Sequence, residues 1–438
     1  YTGLLDFAGP VQTWIRDITG LGYGDYWFFE IRSLGGAIVM MSLVLYPYVY
    51  LMARAAFLEQ SVSSIEVGCS LGYSRWRALW SLALPMARPA IVAGLSLALM
   101  ETLADYGTVQ YFGVSTFTTG IFRTFYGYGD TAAAAQLAAS LLAFVILLVM
   151  LERYSRRRAR YHSAAESRAR ADLIPLTGSK AFLALMICLV PLGFGFVIPA
   201  GQLLWWAVFE AEPLGWEFVN LAWNSFCLAF LAALVAVTLA ILLAYAQRAR
   251  PIKPVRGVLA MSGFGYALPG TIIAIGVLIP LAWIDHRIIA LFEGWGWDSP
   301  GLILSGSLIA LLFAYTVRFL AVALGSVQAG LEKIKPSLDY AGRSMGHSPL
   351  AILRKIHVPL MRSSVLTAVL IVFVDVLKEL PATLILRPFN FNTMAVRAYE
   401  LASDERLVDA APASIMIVLV GLIPVLLLHT SIARRRPQ

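Results

Sequence analysis

Long apolar stretches alternate with short polar joints along the chain. Six stretches fall near residues 180–206, 219–247, 258–284, 301–327, 363–386 and 412–431, and three earlier ones near 34–55, 88–112 and 132–152. Each has roughly the 20 residues that a helix needs to cross a bilayer. The pattern predicts an all-α polytopic membrane protein. If the six later helices alternate in direction, three basic joints share one side. They are Arg248 to Arg256, the joint with Arg343, Arg354, Lys355 and Arg362, and the terminal Arg434-Arg435-Arg436. Lys and Arg concentrate in cytoplasmic loops, so this side is the cytoplasm. The opposite joints hold Trp295 and Trp297, or Phe389 and Phe391, and suit the outer interface.

One polar joint occurs twice. The first copy reads Glu66-Val67-Gly68-Cys69-Ser70-Leu71-Gly72, then nine residues, then Leu82-Ala83-Leu84-Pro85. The second reads Tyr340-Ala341-Gly342-Arg343-Ser344-Met345-Gly346, then nine residues, then Ile356-His357-Val358-Pro359. The copies lie 274 positions apart, and the offset holds beyond them. Glu101 meets Asp375, Asp105 meets Glu379, Thr119 meets Thr393, Arg123 meets Arg397 and Asp130 meets Asp404. This predicts tandem repeats running parallel, with both elbows cytoplasmic. Residues 1–152 form the first unit, 153–179 a basic linker, and 180–438 the second unit of six helices. The offset sets Tyr1 against Ile275, inside a helix of the second unit. The first unit is therefore expected to lack about 100 residues at its start, leaving three full helices and a partial one. A naturally shorter first half is the alternative.

Composition narrows the class. Hydrophobic residues make up 59% and charged residues 14%, against about 25% charged in soluble domains. The net charge of +8 is concentrated beside apolar runs, so it speaks for membrane topology and not for nucleic acid. Cys69, Cys188 and Cys227 are too scattered for a disulfide framework or a metal knuckle. Gly178-Ser179-Lys180 lacks the glycines of a phosphate-binding loop. The five histidines are dispersed, and no catalytic triad or HExxH pattern is present. No catalytic, cofactor-binding or firm metal-binding residue is assigned.

Four carboxylates stand out in apolar stretches: Glu101 and Asp105, and their counterparts Asp375 and Glu379. Each pair is four apart and expected to share one helical face. Carboxylates are costly in a membrane and face a pore or a partner. They are candidates for an acidic translocation pathway. The alternative is structural hydrogen bonding, or pairing with Lys378.

The twin elbow resembles the EAA loop of ABC importer permeases: Glu-Ala-Ala, three residues, Gly, nine residues, Ile-x-Leu-Pro. In that family the loop forms a coupling helix that seats in a cleft on a cytoplasmic ATPase subunit. The resemblance implies coupling roles for Glu66, Gly72, Leu82 and Pro85, and for Tyr340, Gly346, Ile356 and Pro359. Two departures matter. Tyr340 replaces the glutamate, with Asp339 beside it, and Gly68 and Gly342 replace the second alanine. The glutamate's role in the second elbow, and equal coupling at the two ATPase subunits, are thereby left open.

The segments Glu101 to Val109, Val376 to Thr383 and Leu386 to Thr393 resemble ferric-iron importer permeases. The resemblance implies two fused type I ABC importer transmembrane domains in a bacterial cytoplasmic (inner) membrane. ATP would be hydrolysed on two separate ATPase subunits. A loaded extracytoplasmic binding protein would dock outside, with Arg123 and Arg397 as candidate contacts; ordinary interfacial charge is the other reading of these two. Ferric iron is the expected cargo. Rivals are the same class carrying thiamine, a polyamine or another small solute, an ion-coupled secondary transporter, and a membrane-embedded enzyme. The twin elbows argue against the carrier, which needs no ATPase dock, and the sequence lacks the clustered catalytic His, Ser or Cys that the enzyme would need.

Overall fold

The structure, a computed structural model, describes residues 1–22, 24–59, 68–157, 176–250 and 252–433. Every regular element among them is helical. The long helices are α1 (Leu34–Glu59), α2 (Arg75–Ala104), α3 (Thr131–Arg157), α4 (Gly178–Glu210), α5 (Trp216–Ala249), α6 (Gly270–Gly294), α7 (Leu308–Glu332), α8 (Arg362–Leu377) and α9 (Leu407–Ala433). Seven of them, α1 to α7, are long and apolar enough to cross a membrane. Pro349–Leu360 and α8, bent at 80°, together make an eighth candidate.

Three expected boundaries move. The stretch expected at 258–284 is a short helix, Lys253–Ser262, then a tight turn, and then α6 from Gly270. The chain must break here because Gly265 lies directly on the backbone of Val317 and Pro269 precedes α6. The stretches expected at 88–112 and 363–386 stop at Ala104 and Leu377. The expected linker falls largely at 158–175, outside the described residues.

Two compact units are distinguished, Tyr1–Thr116 with Ser140–Gln202, and Phe117–Ala139 with Leu203–Gln438. In the first, α1 packs on α2, and Gly94 lets the α1 backbone at Tyr48 and Val49 approach closely. In the second, α5, α7 and α8 form the core. Ala229, Ala232, Ala233, Ala236, Ala240 and Ala244 make a buried strip along α5. Small residues at this spacing let membrane helices pack without a hydrophobic driving force. At the C-terminal end of α6, Trp297 stacks edge-on against Phe292 at 5.5 Å and Trp295 at 5.6 Å.

Asp285 is fully buried within α6. Its Oδ1 accepts from the Leu304 N–H at 2.9 Å and the Ile303 N–H at 3.2 Å; its Oδ2 accepts from Ser305 N–H and Oγ, each at 2.7 Å. The loop after α6 thus folds back on the helix and finds its missing acceptors in one carboxylate. Asp285→Ala strands those amides away from water. The expected result is a loss of about 3 kcal/mol or more in unfolding free energy, measured by denaturation in detergent micelles. A loss below about 1 kcal/mol, the worth of one ordinary hydrogen bond, contradicts this role.

Candidate functional site

Each elbow is built from small residues and a left-handed glycine. In the first, residues 68–70 are helical and Gly72 ends the turn at φ 85°. The Gly72 N–H donates to the Cys69 carbonyl and the Tyr73 N–H to the Gly68 carbonyl, both at 3.0 Å. This is a Schellman closure, and it requires positive φ at the glycine. Ser74 then caps the helix starting at Arg75, its Oγ accepting from the Arg77 N–H at 3.3 Å. A π-helical turn, Leu79–Ala83, follows before Pro85.

The second elbow repeats each of these steps 274 positions later. Helix Ser337–Ser344 ends at Gly346, φ 79°. The Gly346 N–H donates to Arg343 and the His347 N–H to Gly342, again at 3.0 Å. Ser348 caps Pro349–Ile352, and the π-helical turn covers Leu353–His357, before Pro359. No atom lies within 4 Å of where a Cβ would stand on Gly72 or Gly346. The constraint on these two is backbone handedness and not crowding of a side chain.

Gly68 and Gly342, which depart from the EAA pattern, have a steric reason. A Cβ on Gly68 would come within 2.8 Å of Leu82 and 3.1 Å of Ala78; one on Gly342 would meet Ile352 at 2.9 Å and Ile356 at 3.3 Å. In each elbow the arms close on one glycine, and Leu82 and Ile356 are half-buried against it. Glu66 lies outside the described residues. Tyr340 is exposed, while its neighbour Asp339 turns inward to Arg248. One feature is absent from the sequence reading. Leu71 and Trp76 are each 71% exposed, and their counterparts Met345 and Leu350 are 73% and 66% exposed. Large apolar side chains thus project at matching positions from both elbows. Apolar residues flanking the glycines were the available signal.

The carboxylates do not share a helical face in either pair. Glu101 is half-buried within α2, but α2 ends at Ala104 and Asp105 stands in the break. The Asp105 Oδ1 accepts from the Val109 N–H and its Oδ2 from the Thr108 hydroxyl, both at 3.0 Å, at the start of helix Gly107–Tyr111. The later pair behaves likewise. Asp375 lies in the last turn of α8 with Lys378 3.0 Å away, and Glu379 stands in the break. Glu379 Oε1 accepts from the Ala382 N–H at 3.0 Å, at the start of helix Pro381–Leu386. Arg318 of α7 lies 3.2 Å from Glu379, and both are buried. Tyr315 joins through Thr383, whose Oγ1 is 2.5 Å from its hydroxyl. Gly270 leaves the space that the Arg318–Glu379 pair occupies.

In the second unit, a cavity of about 760 Å³ lies between the start of α5, the 389–392 loop, helix Met394–Ser403 and the start of α9. Arg397 lines it and is exposed, with Asn220, Asn224 and Asn392. At its rim Arg406 bonds Asp409 at 2.7 Å and reaches Glu212 at 3.5 Å. Donating to the Asp409 carboxylate raises the Arg406 guanidinium pKa. Arg123 is exposed at the start of a π-helical turn. Among the described residues no group of three or more His, Cys, Asp and Glu is placed to hold a metal.

Seven or eight long apolar helices among the described residues mark a multi-pass membrane protein. Residues 18–161 match the family of binding-protein-dependent transport system inner membrane components. That match covers about a third of the chain and is to membrane components of transport systems. It is 28% identical over 410 residues to the Fe(3+)-transport system permease protein FbpB 2 of Haemophilus influenzae, covering 91% of this chain and 77% of that one. It is 22% identical over 426 residues to the ferric transport system permease protein FbpB of Actinobacillus pleuropneumoniae, covering 92% of this chain but 59% of that relative's length. A bacterial alginate ABC transporter, solved in complex with an alginate pentasaccharide-bound periplasmic protein, aligns with a TM-score of 0.43 at 14% identity, over 57% of this chain and 92% of that one.

The Arg318–Glu379 pair gives a direct test of the second break. Arg318→Met leaves a buried carboxylate without its cation and is expected to cost about 3–5 kcal/mol of stability. Adding Glu379→Gln is expected to recover most of that loss, read by denaturation in micelles. Equal losses in the single and double variants would show that the pair does not hold the break.

Proposed function

We propose that the chain is the translocation subunit of an ATP-driven importer, built from two fused permease units at 1–152 and 180–438 joined by a linker at 153–179, and that it carries ferric iron inward. The observation that carries this reading is the elbow. The same Schellman closure, serine cap, π-helical turn and proline recur 274 positions apart, and the protruding Leu71 and Trp76 correspond to Met345 and Leu350. Two equivalent apolar projections suit two equivalent sockets, one on each of two cytoplasmic ATPase subunits. ATP closure there would move the elbows, and the helices above them would alternate access.

The cargo rests on different support, namely the iron permeases among the relatives. Glu101, Asp105, Asp375 and Glu379 are proposed to border the route. The bonds of Asp105 and Glu379 to the backbone of the broken helices make them shapers of the route and not ion ligands. Arg123 and Arg397 are proposed as contacts for an extracytoplasmic binding protein, with Arg397 at the mouth of the outer cavity.

The test uses the full transporter with its ATPase subunits in proteoliposomes. The ferric-loaded binding protein is expected to stimulate ATP hydrolysis and the empty one to do so less. Stimulation only by another loaded form discards iron and keeps the class. Gly72→Val and Gly346→Val each force a β-branched residue to positive φ, straining the turn by at least about 1–2 kcal/mol. Each is expected to lower coupled transport with membrane insertion retained. Unchanged uptake in both variants contradicts the elbow assignment.

A further inference from the structure

Helix α5 connects the outer cavity with the second elbow, and it does so as one unbroken element. Its 34 residues contain neither proline nor glycine, and span about 50 Å at 1.5 Å per residue. The buried alanine strip packs it against α7 and α8. A helix so packed and so uniform has no hinge, since sharp kinks arise at proline, at glycine or at an inserted group.

Both ends of α5 are fastened. At the outer end Asn220 and Asn224 line the cavity. One residue further, the Ser225 Oγ accepts from the Met394 N–H at 2.8 Å in a buried contact. Met394 begins the short helix that carries Arg397 into the same cavity. At the inner end Tyr245 and Arg248 lie three residues apart and so share one face of α5. The Tyr245 hydroxyl donates to the Pro349 carbonyl at 2.8 Å, on the second arm of the elbow. Arg248 donates through Nε and Nη2 to Asp339 Oδ2 at 2.9 and 2.7 Å, on the first arm. It also donates to the Leu331 carbonyl at 2.6 Å and the Ile334 carbonyl at 2.8 Å. His357 is fully buried, with Nε2 2.9 Å from Asp339 Oδ1 but off the hydrogen-bonding direction, and its ring packs edge-on against Tyr245 at 5.3 Å. One turn of α5 thus grips both arms.

We propose that α5 is the connecting rod of the second unit, and that Arg248 and Tyr245 are positioning residues that deliver displacement of its outer end to the second elbow. The inference rests on the importer reading and gives that reading a route from outside to inside. It also gives a role to the departure at Tyr340. The acid beside it, Asp339, is bound within the chain to Arg248. The positions 274 residues before Asp339 and His357 hold Ile65 and Ala83.

Hydrogen exchange on the assembled transporter in lipid nanodiscs, with and without the ferric-loaded binding protein, tests the rod. In the unaltered protein, binding outside is expected to change exchange at residues 337–360. In Arg248→Ala that change is expected to shrink by about tenfold, with binding-protein affinity retained. Arg248→Lys, which keeps the cation, is expected to restore part of it, and Tyr245→Phe to give an intermediate loss. An Arg248→Ala protein whose elbow responds fully overturns the proposal. A response at 68–83 with none at 337–360 also overturns it and leaves the importer reading standing. No response at either elbow removes the importer reading and the rod with it.

Discussion

A bilayer offers no water to a broken helix, so each amide freed within it must find an acceptor in the protein. This constraint organises the apolar part of the chain. Asp105 meets it after α2, Glu379 after α8 and Asp285 where the loop after α6 folds back. In all three a carboxylate accepts from backbone N–H groups. A buried carboxylate is expensive alone and much less so when hydrogen-bonded. The protein therefore uses acidic side chains to make interruptions in helices that would otherwise run on.

The interruptions in turn set what the elbows can do. Each elbow leads into a helix that stops at such a break, α2 at Ala104 and α8 at Leu377. The break after α8 is fixed to α7 through Arg318, and the elbow before it is fixed to α5 through Arg248. A movement of the second elbow thus has defined neighbours at both ends of α8. The position 274 residues before Arg318 holds Val44, so this ion pair is not repeated there.

The elbows were legible in the sequence because their constraint is local. Only glycine adopts the left-handed closure without cost, and proline suits a first helical turn, so Gly72, Pro85, Gly346 and Pro359 mark their own places. The breaks were not legible in the same way. Val109 and Leu384 continue the apolar character past Asp105 and Glu379, and hydropathy alone reads each run as one span. Carboxylates are conspicuous in apolar runs, but four-residue spacing implies a shared face only while the helix continues. Arg318 was overlooked, although a lone arginine in an apolar run calls for an acidic partner. The protruding Leu71 and Trp76 depended on knowing which face of the elbow is covered, which the contact of Gly68 with Ala78 and Leu82 decides.

The account stands on the elbows as docks for ATPase subunits. The most direct measurement places single cysteines at Leu71 and Met345 in a background without Cys69, Cys188 and Cys227. Each variant is then assembled with its ATPase subunits and treated with a short bifunctional cross-linker. Cross-linking of both positions to the ATPase, with yields that change when ATP is added, is the predicted result. Cysteines at both positions that react freely with a soluble thiol reagent and never join to the ATPase would contradict the account.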